Sequence, residues 1–198
     1  MFPAPYAPPH VVVALSCLAL SVGLLPIIAQ RFLRVPVGRI PRHLCRRIER
    51  DCRAAGPWRG YWAGLLAWAT AVSVLHFGGL EWGLYARLWW WDLLTHLLSG
   101  VGVGGILLVG LRNVTPAESP VAWPVLALAS IGAGFEVYEY VYRSFWHTWT
   151  LWTYANDTVT DLLVGCLGGL LALGWYRSWV DADTDASPTH RGRPHSND

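Results

Sequence analysis

The chain has 198 residues, 54% of them hydrophobic, 13% aromatic and only 14% charged, with a mean hydropathy of +0.33. A soluble domain usually carries about a quarter charged residues, so this balance excludes an ordinary water-soluble globule and points to one polytopic membrane domain. The net charge of +2 says little alone, because the charges are segregated along the chain.

All 15 basic residues are Arg, a bias that with the abundant Ala, Gly and Trp fits GC-rich coding rather than a mechanism. The four cysteines form no CxxC pair and no secreted framework. Cys17 and Cys166 fall in apolar segments and read as small core residues; Cys45 and Cys52 read as free thiols in a basic loop.

Residues 11–29 are apolar and long enough to span a bilayer. They lack a basic leading region and an A-x-A cleavage site, so they read as a span rather than a removable signal. Residues 31–60 follow as a loop holding nine arginines against Glu49 and Asp51. A short loop this rich in Arg belongs on the cytoplasmic side. Within it, 41–54 can form a surface helix lying against anionic headgroups, and a solvated loop that merely sets topology is the plainer alternative. Nucleic-acid binding is not expected so close to the bilayer.

Further apolar segments lie at about 61–80, 88–111, 121–142 and 158–180. The expected fold is therefore an all-α, polytopic membrane helix bundle of five spans, N-terminus outside and C-terminus inside. Tyr61, Trp62, Trp175 and Trp179 are expected at the inner interface, and Trp89, Trp90, Trp91, Trp146, Trp149 and Trp152 at the outer one, where amphipathic indoles collect. The polar, Pro-containing tail 181–198 is expected to be disordered and cytoplasmic.

Three stretches place ionisable groups where lipid should be: WWWDLLTHLL (89–98), GFEVYEY (134–140) and NDTVTDLL (156–163). Asp92 and His96, Glu136 and Glu139, and Asp157 and Asp161 each lie one helical turn apart, which stacks each pair roughly 5–6 Å apart on one face. Intramembrane ionisable groups are costly and usually mark function. Given the alternating topology, all three pairs converge near the outer ends of their helices, where His76 can join them. GVGVGG (100–105), Gly132 with Gly134, and Gly165 with Gly169 let the helices approach closely.

One imidazole among several carboxylates is a hard ligand set suited to Zn²⁺, Mn²⁺, Fe²⁺ or Mg²⁺. Such an ion would offset carboxylate repulsion and could acidify a bound water. On this reading Asp92, His96, Glu136 and Asp161 are metal ligands, Glu139 is a base and Asp157 orients a ligand. Metal-free carboxylates sharing protons are the alternative, and Asp92 and Asp157 can also be plain N-terminal caps. Arg143 to His147 gives a basic rim facing any anionic headgroup.

The pattern D-x-x-x-H with a Gly-rich apolar run, then E-x-x-E, then D-T-x-x-D-L, resembles the YjdF-type family of small bacterial and archaeal inner-membrane proteins. It is more distantly similar to VanZ-like proteins, departing from them at Glu139, usually Gln there, and near Gly165, where Asn is usual. The resemblance covers about 88–174 and brings Asp92, His96, Glu136, Glu139, Asp157 and Asp161 together as a site, with Gly165 and Gly168 behind them. It implies no particular reaction.

The functional expectation is a multi-pass cell-membrane protein acting as an enzyme on a lipid or lipid-linked substrate, with an oligomer compatible with its small size. A small proton- or ion-coupled carrier is the rival class; no inverted repeat of hydropathy supports it. An accessory protein whose polar cluster only fixes helix register is the third.

Overall fold

The computed structural model describes residues 9–33, 35–54, 56–115 and 121–186, with side chains described as far as Ser178. Long helices build the fold: α1 (Val11–Arg31), α2 (Ile40–Arg53), α3 (Pro57–Glu81), the short α4 (Leu84–Arg87), α5 (Trp91–Leu111), α6 (Ala122–Tyr142) and α7 (Leu151–Ala186). Short 3-10 turns precede α2 (Val37–Arg39) and α7 (Phe145–Thr148). No strand occurs among the described residues.

Local chemistry sets several boundaries. Pro57 opens α3 after an extended Gly56, where a missing N–H costs nothing. Gly83 then turns the chain out of α3 with φ 67°, a left-handed conformation that Gly adopts readily. At the start of α7 the Thr150 hydroxyl accepts the Thr153 N–H at 3.1 Å, a side-chain cap.

That cap corrects the boundary expected from composition. α7 begins at Leu151 rather than near 158, because the polar run Asn156–Thr160 sits inside the helix. Asp157 is therefore no N-cap, while Asp92 does lie in the first turn of α5. At its other end α7 continues through 181–186, residues assigned to the tail by composition. The rest of that expected tail, 187–198, lies outside the described residues, as does the Trp179 side chain.

Packing alternates the helix directions. His10, just before α1, bonds through Nε2 to the Trp149 carbonyl at 3.0 Å beyond the end of α6, while Ile28 clusters with Trp123 at the other end. The Ser130 hydroxyl of α6 donates to the Ser21 carbonyl at 2.8 Å midway along this antiparallel pair. α5 and α7 run parallel and are the most closely packed pair, with α3 outside α5 and α2 lying across the ends of α3 and α5. The bundle thus has an arginine-rich end, carrying α2, and an opposite end carrying the acidic pairs.

Four helices, α1, α3, α5 and α7 as far as Ser178, are long and apolar enough to cross a membrane. The 21-residue α6 has the length, but Glu136, Glu139 and its tyrosines lower its hydropathy. Large apolar side chains face outward, among them Leu66 (70% exposed), Phe77 (62%) and Leu163 (67%), a surface suited to lipid. The indole belts are only partly as expected. Trp89 and Trp152 are exposed, whereas Trp146 is buried and stacked on Tyr140 at 4.7 Å.

Trp62 is buried too, for a reason that fixes the arginine-rich end. Its Nε1–H donates to Asp51 Oδ2 at 3.0 Å. Arg112 Nη2 donates to both oxygens of the same carboxylate at 2.9 and 3.0 Å, and Arg47 Nε lies 3.3 Å from Oδ1. The Arg112 guanidinium also stacks 3.7 Å over the Trp58 ring. Burial alone would push the Asp51 carboxyl up, but the Trp62 and Arg112 hydrogen bonds outweigh it and hold it below its ordinary 3.8.

The core seam is glycine on glycine. A Cβ at Gly100 would collide with the Gly165 carbonyl, and one at Gly168 with the Leu97 carbonyl; at Gly104 it would lie 3.0 Å from the Gly169 Cα. By contrast a Cβ at Gly165 would meet only the His96 carbonyl at 3.9 Å, ordinary contact.

Gly100→Ala is expected to cost about 1–3 kcal/mol by overpacking against backbone that cannot rotate away, and Gly165→Ala to be neutral or mildly stabilising. Thermal unfolding in detergent compares them, and equal effects would contradict the packing described. Asp51→Asn should lower stability at neutral pH by about 3 kcal/mol, since it leaves Arg112 without its counter-charge. Because the folded Asp51 carboxyl lies below 3.8, its contribution is complete above that pH and lost as pH falls through the folded value. The wild-type unfolding midpoint should fall in that acid range by more than that of Asp51→Asn.

Candidate functional site

Three ligand-type groups meet at the acidic end of the α5–α7 seam. His96 Nε2 lies 3.4 Å from Asp92 Oδ1, one turn earlier on α5, and 3.8 Å from Asp161 Oδ2 across the seam. One ligand atom from each of Asp92, His96 and Asp161 lies within 4.8 Å of the others. Asp161 is 2% exposed, and its Oδ2 has no hydrogen-bond partner among the described residues. A buried carboxylate oxygen left that way is expensive, and this one faces the imidazole at a distance too long for a hydrogen bond.

His96, Asp161 and Glu136 line a cavity of about 140 Å³ between α5, α6 and α7, with Phe135, Leu128 and Gly165 also in its wall. Glu136 is 2% exposed and accepts a hydrogen bond from the buried Thr158 hydroxyl at 3.0 Å. It therefore shares the cavity with the three-residue group without belonging to it. Glu139 is half-buried one turn further along α6 and does not line the cavity. Asp157 lines a separate, open groove with Trp152, Thr153, Asn156 and Thr160. The three sequence pairs thus resolve into a tight trio, one wall carboxylate and two flanking acids.

His76 also lines the cavity, held by a chain of hydrogen bonds that the sequence does not reveal. Arg143 Nη2 lies 3.5 Å from His76 Nε2, and His76 Nδ1 lies 2.7 Å from the Tyr85 oxygen. Tyr85 donates to Thr95 Oγ1 at 3.3 Å, and Thr95 to the Asp92 carbonyl at 2.9 Å. The donors run consistently only if His76 is neutral with its proton on Nδ1, because an arginine cannot accept. Tyr85 sits on the short α4, outside the apolar spans, and burial pushes its phenol up to about 12. The phenol remains a donor throughout the physiological range.

Thr158 is a missed polar partner with a sequence signal, as the second residue of D-T-V-T-D between Asp157 and Asp161. Tyr85 has none, since its place depends on the Gly83 turn and the return of α4.

Apolar helices around one ionisable cluster, with polar partners on four helices, define a class of multi-pass helical membrane protein with a polar centre at one end. Residues 62–182, more than half the chain, match the family model described as "Predicted membrane protein (DUF2238)", and the chain belongs to that family. This is the YjdF-type family of the sequence resemblance; the match does not extend to the VanZ-like proteins. No curated protein and no solved structure matches the chain. The matched region contains α5, α6 and every residue of the cluster.

Thr158→Val should destabilise the bundle by about 1–3 kcal/mol, because it removes the donor to a buried carboxylate oxygen. Thr158→Ser should keep most of that loss from occurring. Unfolding midpoints in detergent check both, and a Val variant as stable as wild type would remove Thr158 from the site's framework.

Proposed function

We propose that this protein is a five-span membrane enzyme of the cell membrane, with α6 as the fifth span, the acidic end outside and the arginine-rich end in the cytoplasm. Asp92, His96 and Asp161 hold a divalent metal ion, and the enzyme acts on a lipid or lipid-linked substrate. One observation carries the reading: three ligand atoms gathered at the α5–α7 seam, one of them the buried Asp161 Oδ2, which has no hydrogen-bond partner among the described residues.

The spacing suits a single ion. With metal–ligand bonds of about 2.0–2.2 Å, neighbouring ligand atoms sit roughly 3.0–3.6 Å apart, close to the 3.4 and 3.8 Å between His96 and its two carboxylates. Two oxygens and one imidazole nitrogen favour Zn²⁺, Mn²⁺, Fe²⁺ or Mg²⁺ over soft metals. An ion held by these residues would offset the carboxylate charge and would acidify a bound water. Glu136, already in the cavity wall, is better placed than Glu139 to complete the coordination or take a proton. Glu139 and Asp157 then set the field at the mouth. The arginine concentration on α2 supports the orientation by the positive-inside rule.

Elemental analysis of the detergent-purified protein is the direct test. Near-stoichiometric metal is expected, lost in His96→Ala and in Asp161→Asn while both variants stay folded. Metal retained in both would overturn the assignment. Absence of metal from the wild type, with proton flux into liposomes abolished by Glu136→Gln, would favour the carrier instead.

A further inference from the structure

The arginine-rich end holds a second polar cavity, remote from the acidic cluster and independent of the function proposed for it. It measures about 170 Å³ and is lined by His43, Arg46, Arg47 and Arg50 of α2 and by Asn113 just past α5. Positions 43, 46, 47 and 50 share one face of a helix, since they fall at the i, i+3, i+4 and i+7 spacing. Nothing in that spacing requires five donor-bearing side chains to converge on one hollow; the return of the chain beside Asn113 makes them do so.

The helix that carries them is firmly seated. Leu44 packs into the core so closely that a Cβ at Gly110 would collide with it. Asp51, on the same helix, is tied to Arg112 and Trp62. The four cavity residues are therefore held on a fixed frame rather than on a loose basic strand.

Counting charges shows what the cavity lacks. Asp51 is taken by Arg112 and Arg47, and Glu49 pairs with Arg53 at 2.6 Å on the exposed side. Arg46 and Arg50 have no acidic partner among the described residues. His43 Nε2 is buried and makes no hydrogen bond there. Three guanidiniums around one hollow repel one another, and the group that relieves this is an anion with several acceptor oxygens.

We propose that this cavity binds a phosphate group, with Arg46 and Arg50 supplying forked donors, Arg47 a shared charge, and His43 and Asn113 further hydrogen bonds. The group comes either from a phospholipid headgroup or from phosphate free in solution. Both present the same tetrahedral oxygens. A surface helix attracted by anionic lipid would need only its total charge; this site needs two particular arginines.

Delipidated protein in neutral detergent is titrated with inorganic phosphate by calorimetry. In a second arm it is offered phosphatidic acid or phosphatidylcholine in mixed micelles, and bound lipid is read by native mass spectrometry. R46Q/R50Q is compared with R42Q/R53Q, which removes the same charge from α2 outside the cavity, and with R50K, which keeps the charge but loses the fork. None of these residues pairs with Asp51, and the Arg53–Glu49 pair that R42Q/R53Q breaks is exposed and weak, so little change in unfolding midpoint is expected in any of the three.

Binding should weaken by about tenfold or more in R46Q/R50Q, by an intermediate factor in R50K, and by less than about twofold in R42Q/R53Q. Phosphatidic acid alone binding identifies a headgroup as the source; inorganic phosphate binding as well shows that the phosphate group suffices. Equal loss in the two double variants, or binding of neither phosphate nor phosphatidic acid above phosphatidylcholine, would overturn the proposal.

Discussion

The contact between Gly100 and the Gly165 carbonyl sets the geometry of everything at the acidic end. Membrane helices gain little from burying apolar groups against each other, since lipid is equally apolar, so their approach depends on small residues and close van der Waals contact. Gly100, Gly104 and Gly168 remove the side chains that would hold α5 and α7 apart. His96 lies one turn before Gly100, and Asp161 one turn before Gly165. The same contact that closes the seam therefore places the imidazole 3.8 Å from the carboxylate. A wider crossing would leave the groups unable to share a ligand.

That closeness has an electrostatic cost that bears on function. Asp92, Asp161 and Glu136 crowd one imidazole in a setting where charge is poorly solvated. A merely structural cluster would be expected to saturate its hydrogen bonds, as the chain from Arg143 through His76, Tyr85 and Thr95 does. Glu136 follows that rule with Thr158. Asp161 Oδ2 has no donor among the described residues, so the cluster is less fully hydrogen-bonded than the chain beside it.

Much of this was legible from residue spacing. One-turn pairs at Asp92/His96 and Glu136/Glu139, alternating directions and a common depth suffice to gather the acids at one end. The glycines of the seam were legible as a class, though the sequence cannot tell that Gly100 is intolerant and Gly165 is not. Asp161 enters the cavity, whereas Asp157, one turn nearer the acidic end of the helix, lies in a separate open groove. The start of α7 was misplaced because a polar run looks like a loop when its cap, Thr150, lies before it. Partners brought by turns, such as Tyr85, and long-range locks, such as Arg112 on Asp51, leave no periodic trace.

Asp51 and Asp161 make the distinction sharpest. Both are buried carboxylates, 5% and 2% exposed, each beside a basic group. Asp51 accepts from Trp62 and twice from Arg112 and has Arg47 alongside, so its oxygens are filled. It fastens α2 to α3 and α5 and asks for nothing more. Asp161 has an imidazole beyond hydrogen-bond reach and an oxygen without a donor among the described residues. Burial alone would rank the two alike. Counting donors separates a carboxylate whose oxygens are filled from one with an oxygen that finds no donor among the described residues, and it sorts the arginines in the same way. Arg112 and Arg47 are engaged with Asp51, whereas Arg46 and Arg50 line a hollow with no counter-charge among the described residues.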